Sequence, residues 1–144
     1  MRYTKRKKLK VDRDKIKMKF GGHCAYCGVE LKEKFNIDHC IAFERGGSDE
    51  ESNLFPSCFR CNNQKFTFNI EEFRREIEKS TERLVKYQSG YRLAKDFGLI
   101  NETGIKVKFW FEVFNERTRK RDTKAKSKRG IIPIRLYEQR FSHW

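Results

Sequence analysis

Two Cys-x-x-Cys pairs, in HCAYCG and SCFRCN, restrict the fold of this chain more than any other sequence feature. Thiolates at this spacing bind one ion within a tight turn, and two such turns complete a tetrahedral Zn²⁺ site. Disulfides are unusual in an intracellular chain with an odd number of cysteines, here five. A redox dithiol needs only one such pair, in a βαβ context. We therefore predict a structural zinc site formed by Cys24, Cys27, Cys58 and Cys61.

The segment between the two pairs contains an aspartate and a histidine side by side, Asp38 and His39. Taken alone, this dipeptide is compatible with two surface residues that have no function, with a metal site or with the base of a hydrolytic centre. A zinc ribbon by itself would not require a carboxylate and an imidazole at this place. We expect Cys40 to be a small buried apolar residue, and we expect His23 not to be a ligand of the zinc ion.

The net charge of +14 is concentrated at the two ends of the sequence. Residues 1–19 contain ten Lys/Arg against two Asp, residues 116–144 contain ten against three acids, and the rest is nearly neutral. Such segments bind polyanions through salt-dependent phosphate contacts, and we favour this over two solvated tails because they flank one candidate site. We predict DNA as the partner, with RNA also permitted. The predicted contacts are Lys65, Arg117, Arg119, Lys120 and Arg121, although Lys65 is equally compatible with a solvated helix residue.

Two helices are predicted from capping residues and apolar spacing. Between residues 10 and 20, Ile16 and Phe20 fall on one helical face behind Asp12 as a cap. A strand with alternating lysines is the alternative reading, and we favour the short basic helix. Asn69 and Glu72 have the spacing of a capping box, and an amphipathic helix is predicted for 70–86.

The remainder of the chain is predicted as a mixture of helix and strand. After a break at Ser89-Gly90, a shorter helix is expected to end at Gly98. The alternating apolar residues of 105–114 predict a strand, and a poorly structured basic run follows through Arg129. The sequence IIPIRLY is compatible with a short edge strand, because its proline limits pairing.

Several landmarks occur in a fixed order between residues 20 and 66: C-x-x-C, I-D-H, G-G-S, N-L and C-x-x-C-N-x-x-K. This ordered set resembles the HNH endonuclease family of phage and bacteria, in its zinc-containing form. The resemblance implies a ββα-metal fold, in which two short antiparallel strands and a helix surround one catalytic divalent ion. The predicted class is α+β, with a small ββα-metal core held by a Cys₄ zinc site, an appended long helix and a short β element.

The resemblance also implies roles for individual residues. His39 would be the general base that deprotonates the attacking water, and Asn53 would orient it through backbone hydrogen bonds. Asp38 and Asn62 would hold the catalytic ion, Mg²⁺, Mn²⁺ or another divalent ion. This fits chemical preference, because hard cations take oxygen ligands and an imidazole with a pKa near ~6.5 accepts protons at neutral pH. Two positions depart from the family pattern, since Ala42 replaces a common proline and Asn62 replaces a common histidine.

These features predict a metal-dependent endonuclease or nickase acting on DNA. The alternative is a non-catalytic zinc-containing module that binds nucleic acid. Such a module would need none of the residues Asp38, His39, Asn53 and Asn62. The predicted organisation is a basic arm or helix at 1–19, the nuclease core at 20–66 and an accessory region at 67–144. No run of about 18 apolar residues is present, and no apolar segment of a secretory signal follows the basic N-terminus. We expect a soluble protein in the cytoplasm of a bacterial or phage-infected cell.

Overall fold

The computed structural model describes residues 10–129, and within this range it contains six α-helices and one two-stranded sheet. The chain divides into two compact units, of which the first ends at Phe111 and the second begins at Glu112. None of the described helices is long and apolar enough to cross a membrane. The elements in chain order are α1 (Arg13–Met18), β1 (Asn36–His39), β2 (Leu54–Ser57), α2 (Phe59–Lys65), α3 (Ile70–Glu78), α4 (Ser80–Tyr87), α5 (Ser89–Asp96) and α6 (Trp110–Arg129).

The centre of the first unit is a β-ribbon followed directly by a short helix. Strand β1 pairs antiparallel with β2, in a register that sets Asn36 opposite Ser57 and His39 opposite Leu54. One residue, Cys58, separates β2 from helix α2. The last residue of this helix, Lys65, donates a hydrogen bond to the His39 carbonyl oxygen at 2.7 Å. The predicted α+β class and its two-stranded, helix-backed core are confirmed.

The short helix predicted within residues 10–20 forms as α1, at Arg13–Met18, and the strand alternative is wrong. The Asp12 carboxylate accepts hydrogen bonds from the N–H groups of Asp14 and Lys15 at 3.0 and 3.1 Å, which satisfies two donors of the first turn. Ile16 and Phe20 are both buried. Because they are four residues apart, one face of this basic segment packs against the core, while Lys15 on another face is exposed.

The predicted helix after Asn69 forms, but it is interrupted at Lys79, between α3 and α4. Its capping box is present, since the Asn69 side chain accepts from the Glu72 N–H and the Glu72 side chain accepts from the Asn69 N–H. At the interruption, the Glu76 carbonyl oxygen accepts from the Ser80 hydroxyl at 3.0 Å and from the Arg83 guanidinium at 2.7 Å. These side-chain donors replace the regular backbone partner of that carbonyl.

The shorter helix after this region is also present, as α5, with small differences at its start. The break lies at Gln88, one residue before the predicted Ser89-Gly90, so that both of these residues belong to the first turn of α5. Gly98 follows the helix with a φ of +72°, which is a conformation that favours glycine. The predicted stop at Gly98 is therefore confirmed.

The strand predicted for 105–114 is wrong, because the residues before Trp110 form no regular structure and α6 begins there. The backbone groups that a strand would pair have other partners. The Val107 N–H donates to Glu78 at 3.2 Å, and the Val107 carbonyl accepts from Arg74. The N–H groups of Trp110 and Phe111 donate at 3.0 and 2.8 Å to carbonyl oxygens of the first cysteine turn.

The basic run through Arg129 was predicted to be poorly structured, and this is also wrong, because it forms most of α6. Lysine and arginine are good helix formers, and the run contains no glycine or proline before its last described residue. The possible edge strand in IIPIRLY lies outside the described residues. Among residues 10–129 the two strands of the ribbon are the only ones, so no appended β element is found there.

One aromatic core joins segments from most of the first unit. Tyr26, Phe35, Phe73 and Phe109 are buried in a single cluster. The rings of Phe73 and Phe109 are stacked at 5.5 Å, and Tyr26 meets both edge-on at the same distance. Such contacts add to the free energy of area burial alone. The core spans the boundary predicted after residue 66. The boundaries predicted from the sequence, after residues 19 and 66, remain predictions.

Candidate active site

The four cysteines of the two Cys-x-x-Cys pairs form one cluster, in which all ligand atoms lie within 4.8 Å of one another. The sulfur atoms of Cys27 and Cys58 are 3.8 Å apart, and all five cysteines are free of disulfides. A tetrahedral ion with Zn–S distances of about 2.3 Å has sulfur–sulfur separations of about 3.8 Å. The predicted cluster is confirmed as a candidate metal site, and its donors and spacing fit zinc.

Local backbone structure brings these sulfur atoms together. In the first turn the Cys24 N–H donates to the Val29 carbonyl at 2.8 Å, and the chain reverses at Gly28, whose φ is +75°. In the second turn Cys58 is the N-cap of α2, and its sulfur accepts from the Cys61 N–H at 3.4 Å. A side chain at Gly28 would also lie 3.1 Å from the Trp110 ring. Glycine is therefore required there.

The close packing of the sulfur atoms shifts the pKa values of the cysteine thiols. A hydrogen bond from Cys61, together with backbone N–H donors, lowers the pKa of the Cys24 thiol to about 4 despite its burial. The same hydrogen bond and burial raise the pKa of Cys61. Metal binding requires deprotonated thiols, and the lowered pKa of Cys24 favours that state.

Cys40 and His23 lie outside this cluster, in agreement with the sequence analysis. Cys40 is half-buried, directly after β1. The His23 ring donates a hydrogen bond through Nδ1 to the Gly21 carbonyl oxygen at 2.7 Å and lies 5.1 Å from the Trp110 ring. His23 therefore has a structural environment of its own.

The Asp38 carboxylate lies near the end of β1, and the residue is only 8% exposed. Its Oδ2 atom accepts hydrogen bonds from the Tyr26 hydroxyl and from the Lys65 ammonium, the latter at 3.0 Å. Burial raises the pKa of Asp38, while Lys65 and Tyr26 act in the opposite direction. Within residues 10–129 no hydrogen bond involves Oδ1 of Asp38, which leaves one oxygen of a fixed carboxylate for an ion.

Tyr26 was not predicted as a site residue. It lies between the first two cysteines, and burial is the main cause that raises its pKa well above the ordinary value, with the Asp38 charge second. Its ring belongs to the aromatic core and its hydroxyl reaches Asp38. The zinc turn is thus connected directly to the carboxylate. A tyrosine between two cysteines carries no sequence signal for this contact, because the contact depends on how β1 packs beside the turn.

Lys65 is fully buried at 0% exposure, which is unusual for lysine. Its ammonium binds the Asp38 carboxylate and the His39 carbonyl oxygen. This placement differs from both sequence interpretations, a solvated helix residue and a phosphate contact, because its ammonium group bonds to groups inside the protein. Lys65 instead connects the end of α2 to β1.

Replacement of Lys65 by methionine is expected to destabilise the fold by about 3–5 kcal/mol, because it leaves the Asp38 charge buried without its cation. Methionine retains most of the side-chain volume, so that a cavity contributes little. The free energy of unfolding would be measured by urea titration of both proteins at equal zinc content. The control is Lys34→Met, at an exposed lysine. A loss below about 1 kcal/mol for Lys65→Met would contradict a stabilising role of this ion pair.

His39, the residue after Asp38, is buried at 7% exposure. Its Nε2 atom lies 2.7 Å from Oδ1 of Asp49, a residue of the loop between β1 and β2. Asp49 was not predicted from the sequence. It is ten positions from His39, and only the closure of the intervening loop brings the two side chains together. The ring of this strand residue is therefore held by a contact from the loop.

Asn53 ties that loop to the strand end. Its side-chain oxygen accepts from the Ile41 N–H at 2.8 Å, and its amide donates to the carbonyl oxygens of Ile41 at 3.0 Å and Ser48 at 2.9 Å. The approach is so close that a Cβ atom on Gly47 would lie 1.8 Å from the Ile41 oxygen. Asn53 thus has the bonds expected of a residue that fixes the loop, and its catalytic importance remains a prediction.

Asn62 lies on α2, three residues before Lys65, and the two side chains therefore share one helix face. Its Oδ1 atom is 3.5 Å from the Ser57 hydroxyl at the end of β2. Carboxylate and amide oxygens, as in Asp38 and Asn62, are donors of the kind that Mg²⁺ or Mn²⁺ accepts, and such ions usually keep several water ligands as well. That these two residues bind one ion remains a prediction. These donors fit a hard divalent ion, whereas the cysteine cluster fits a soft one.

The basic residues predicted to contact nucleic acid lie in different settings. Arg117, Arg119, Lys120 and Arg121 are exposed on α6. In the first unit, Arg13 donates to the Phe35 carbonyl oxygen at 2.7 Å. The Lys19 ammonium donates to three carbonyl oxygens of the segment 51–54. Part of the predicted N-terminal arm therefore makes contacts inside the protein, and residues 1–9 lie outside the described range.

Comparison with known proteins agrees with this architecture. Residues 24–67 match the family model of the HNH endonucleases. The chain is also similar to YoqL of the SPbeta prophage in Bacillus subtilis (strain 168), which is named as a candidate HNH endonuclease. The identity is 32% over 88 residues and covers 50% of this chain and 36% of that relative, so that the chain spans about a third of its length. No solved structure gives a significant match. Residues 24–67 of this chain therefore form a domain of the HNH endonuclease family.

Proposed function

We propose that this protein is a metal-dependent endonuclease or nickase that hydrolyses phosphodiester bonds in DNA. The observation that carries the proposal is the placement of Asp38 and His39 inside the family-matched segment. Both side chains are largely buried, and each is held by a charged partner from another part of the fold, Lys65 and Asp49. An aspartate and a histidine adjacent by accident on a surface would have no reason to be fixed in this way.

His39 supplies the base in this proposal. Hydrolysis of a phosphodiester requires removal of a proton from the attacking water, and a neutral imidazole is suited to accept it. The proton moves from water to a ring nitrogen, the water oxygen bonds to phosphorus, and one ester oxygen leaves. Asn53 fixes the loop that follows His39, so that the ring keeps its position during this step.

Two metal ions are assigned to separate donor sets. Cys24, Cys27, Cys58 and Cys61 would hold a structural Zn²⁺, and Asp38 with Asn62 would hold a catalytic Mg²⁺ or Mn²⁺. A divalent ion at the second site supplies charge neutralisation at the phosphoryl and leaving oxygens. Lys65 and Tyr26 fix one oxygen of the Asp38 carboxylate and so set its orientation.

The second unit would contact the DNA backbone through one stripe of α6. A helix turns about 100° per residue, so that residues at i, i+3, i+4 and i+7 share a face. Arg117, Lys120, Arg121 and Lys124 have this spacing, whereas Arg119 lies about 200° around the helix from Arg117. Of the four arginines and lysines predicted from the sequence, we therefore assign three to the stripe and place Arg119 outside it.

Neutralisation of all four stripe residues to glutamine is expected to flatten the slope of log affinity against log salt by about 3.6 units, at about 0.9 per phosphate contact. Two matched single variants give a more specific test. Arg121→Gln should flatten the slope by about 0.9 units, and Arg119→Gln should leave the slope unchanged. Fluorescence anisotropy of a labelled duplex at several salt concentrations measures this slope. Equal effects of the two single variants would contradict a stripe.

The proposed function is tested by incubating the zinc-loaded protein with supercoiled plasmid and Mg²⁺ or Mn²⁺, with EDTA as the control. Conversion to nicked or linear plasmid only with the added ion supports the endonuclease. Binding without cleavage under every condition favours the alternative, a non-catalytic nucleic-acid-binding module. A parallel reaction with structured RNA decides between the two substrates.

By analogy with the prophage relative, we place the activity in the cytoplasm of a bacterial or phage-infected cell.

A further inference from the structure

We propose that Asp49 is a positioning residue for His39, which it holds by accepting a hydrogen bond from Nε2–H of the imidazole. The proposal rests on the proposed function, because it gives His39 the role of the base. Asp49 Oδ1 lies 2.7 Å from His39 Nε2. The histidine side chain is 8% exposed and the aspartate side chain 54% exposed, so that the contact lies where the buried ring meets the surface.

This contact determines which ring nitrogen carries the proton. An ionised carboxylate can only accept hydrogen bonds, so that a neutral imidazole facing it must carry its proton on Nε2. The lone pair then lies on Nδ1, and Nδ1 is the nitrogen that would take the proton from water. Once the ring is protonated, the same carboxylate stabilises the cation through a charge-assisted hydrogen bond.

The loop around Asp49 is built to keep the carboxylate in place. The Asn53 amide binds the carbonyl oxygen of Ser48, the residue directly before Asp49, at 2.9 Å. Gly47, one residue earlier, passes so close to the Ile41 backbone that no other residue fits. Asn53 therefore restrains both ends of the segment that separates the two partners, and it positions Asp49 as well as the strand end.

The other charged groups near this ring have different partners. The Asp38 carboxylate is directed to Tyr26 and Lys65, and the Lys65 ammonium binds the His39 backbone oxygen and not the ring. Asp49, and not Asp38, thus supplies the carboxylate at Nε2 of the imidazole. The two carboxylates therefore have different partners, and in the proposed function Asp38 serves the ion while Asp49 serves the base. The contact of Asp49 was not apparent from the sequence.

Nitrogen-15 NMR of the histidine rings tests the contact without any need for activity. The zinc-loaded protein is measured without DNA or catalytic ion, at a pH where the rings are neutral. The chain has only three histidines, and His39→Gln assigns the relevant signals. The wild type should show the Nε2-protonated tautomer for His39, and Asp49→Asn should shift the population toward Nδ1–H. An unchanged tautomer in Asp49→Asn, with zinc content and circular dichroism preserved, would overturn the proposal.

Cleavage kinetics test the catalytic consequence. At saturating DNA, Asp49→Asn should lower the single-turnover rate by about 10²–10⁴-fold, with little change in the KM for DNA, and Asp49→Glu should restore part of it. The control is Glu50→Gln, at the adjacent exposed carboxylate. In a protein that cuts DNA, a wild-type rate for Asp49→Asn would overturn only the role of Asp49. A wild-type protein that cuts neither DNA nor RNA would overturn the proposed function itself.

Discussion

His39→Ala is expected to lower the rate of DNA cleavage by about 10²–10⁴-fold, because it removes the base that activates water. DNA affinity should remain nearly unchanged, since the imidazole acts on water and not on the phosphate backbone. The substitution retains the His39 carbonyl oxygen that binds Lys65, so that the connection between α2 and β1 persists. Single-turnover cleavage of an end-labelled duplex gives the rate, and anisotropy gives the affinity.

The matched control for this prediction is His23→Ala. His23 is also in the first unit, but its ring contacts Gly21 and Trp110 and lies outside both proposed metal sites. Its loss should leave the cleavage rate within a few-fold of the wild type. Turnover at the wild-type rate in His39→Ala, with the protein folded and zinc-loaded, would exclude His39 as the base.

Cys58→Ser is expected to release zinc and to unfold residues 24–66. In so small a segment, the free energy of metal binding contributes directly to the free energy of folding. Cys58 has two functions in the structure. Its sulfur lies 3.8 Å from that of Cys27, and it caps α2, the helix that carries Asn62 and Lys65. Serine can keep the cap, so that the expected unfolding comes from the loss of the metal site. Elemental analysis would report the metal content, and hydrogen exchange would report the loss of protection in this segment.

Cys40→Ser provides the control for the cysteine variant. Cys40 lies between the two pairs but outside their cluster, and a serine there should retain one zinc ion per chain. Native protein that contains no zinc would contradict the assignment of the site. The same holds for a Cys58→Ser protein that keeps both its metal and its amide protection.

The parts of the fold that depend on local rules could be predicted from the sequence. The cysteine cluster follows from two short spacings, and the start of α3 follows from a capping box at Asn69 and Glu72. The ββα core was implied by the order of the family landmarks. In each case the determining residues are close in sequence or belong to a known pattern. These features therefore depend little on long-range packing.

The error at 105–114 has a different origin. Alternating aromatic and charged residues predict a strand only if a neighbouring strand is available to pair with it. Here the backbone bonds to α3 and to the first cysteine turn, while Phe109 and Phe111 pack into the aromatic core. The alternation corresponds to burial only at Val107 and Phe109, which lie on either side of the exposed Lys108 in an irregular segment that then enters a helix.

The site residues that the sequence analysis missed or misplaced are those whose roles depend on tertiary contacts. Lysine is rarely buried, so Lys65 carried a strong expectation of exposure. Its burial results from the ion pair with Asp38, which is 27 residues away in the chain. Tyr26 and Asp49 likewise reach the site only after the zinc turn and the loop have folded. Sequence spacing alone does not encode these three contacts.

The most direct test of hydrolysis by a base-activated water is cleavage of plasmid DNA in H₂¹⁸O, with Mg²⁺ or Mn²⁺ and the zinc-loaded protein. The terminal phosphates at the cuts are then released and analysed by mass spectrometry. Attack by one water at phosphorus predicts one ¹⁸O atom in the terminal phosphate of each cut, with EDTA preventing all cleavage. Cuts that contain no ¹⁸O, or an intact plasmid with either ion, would contradict the account.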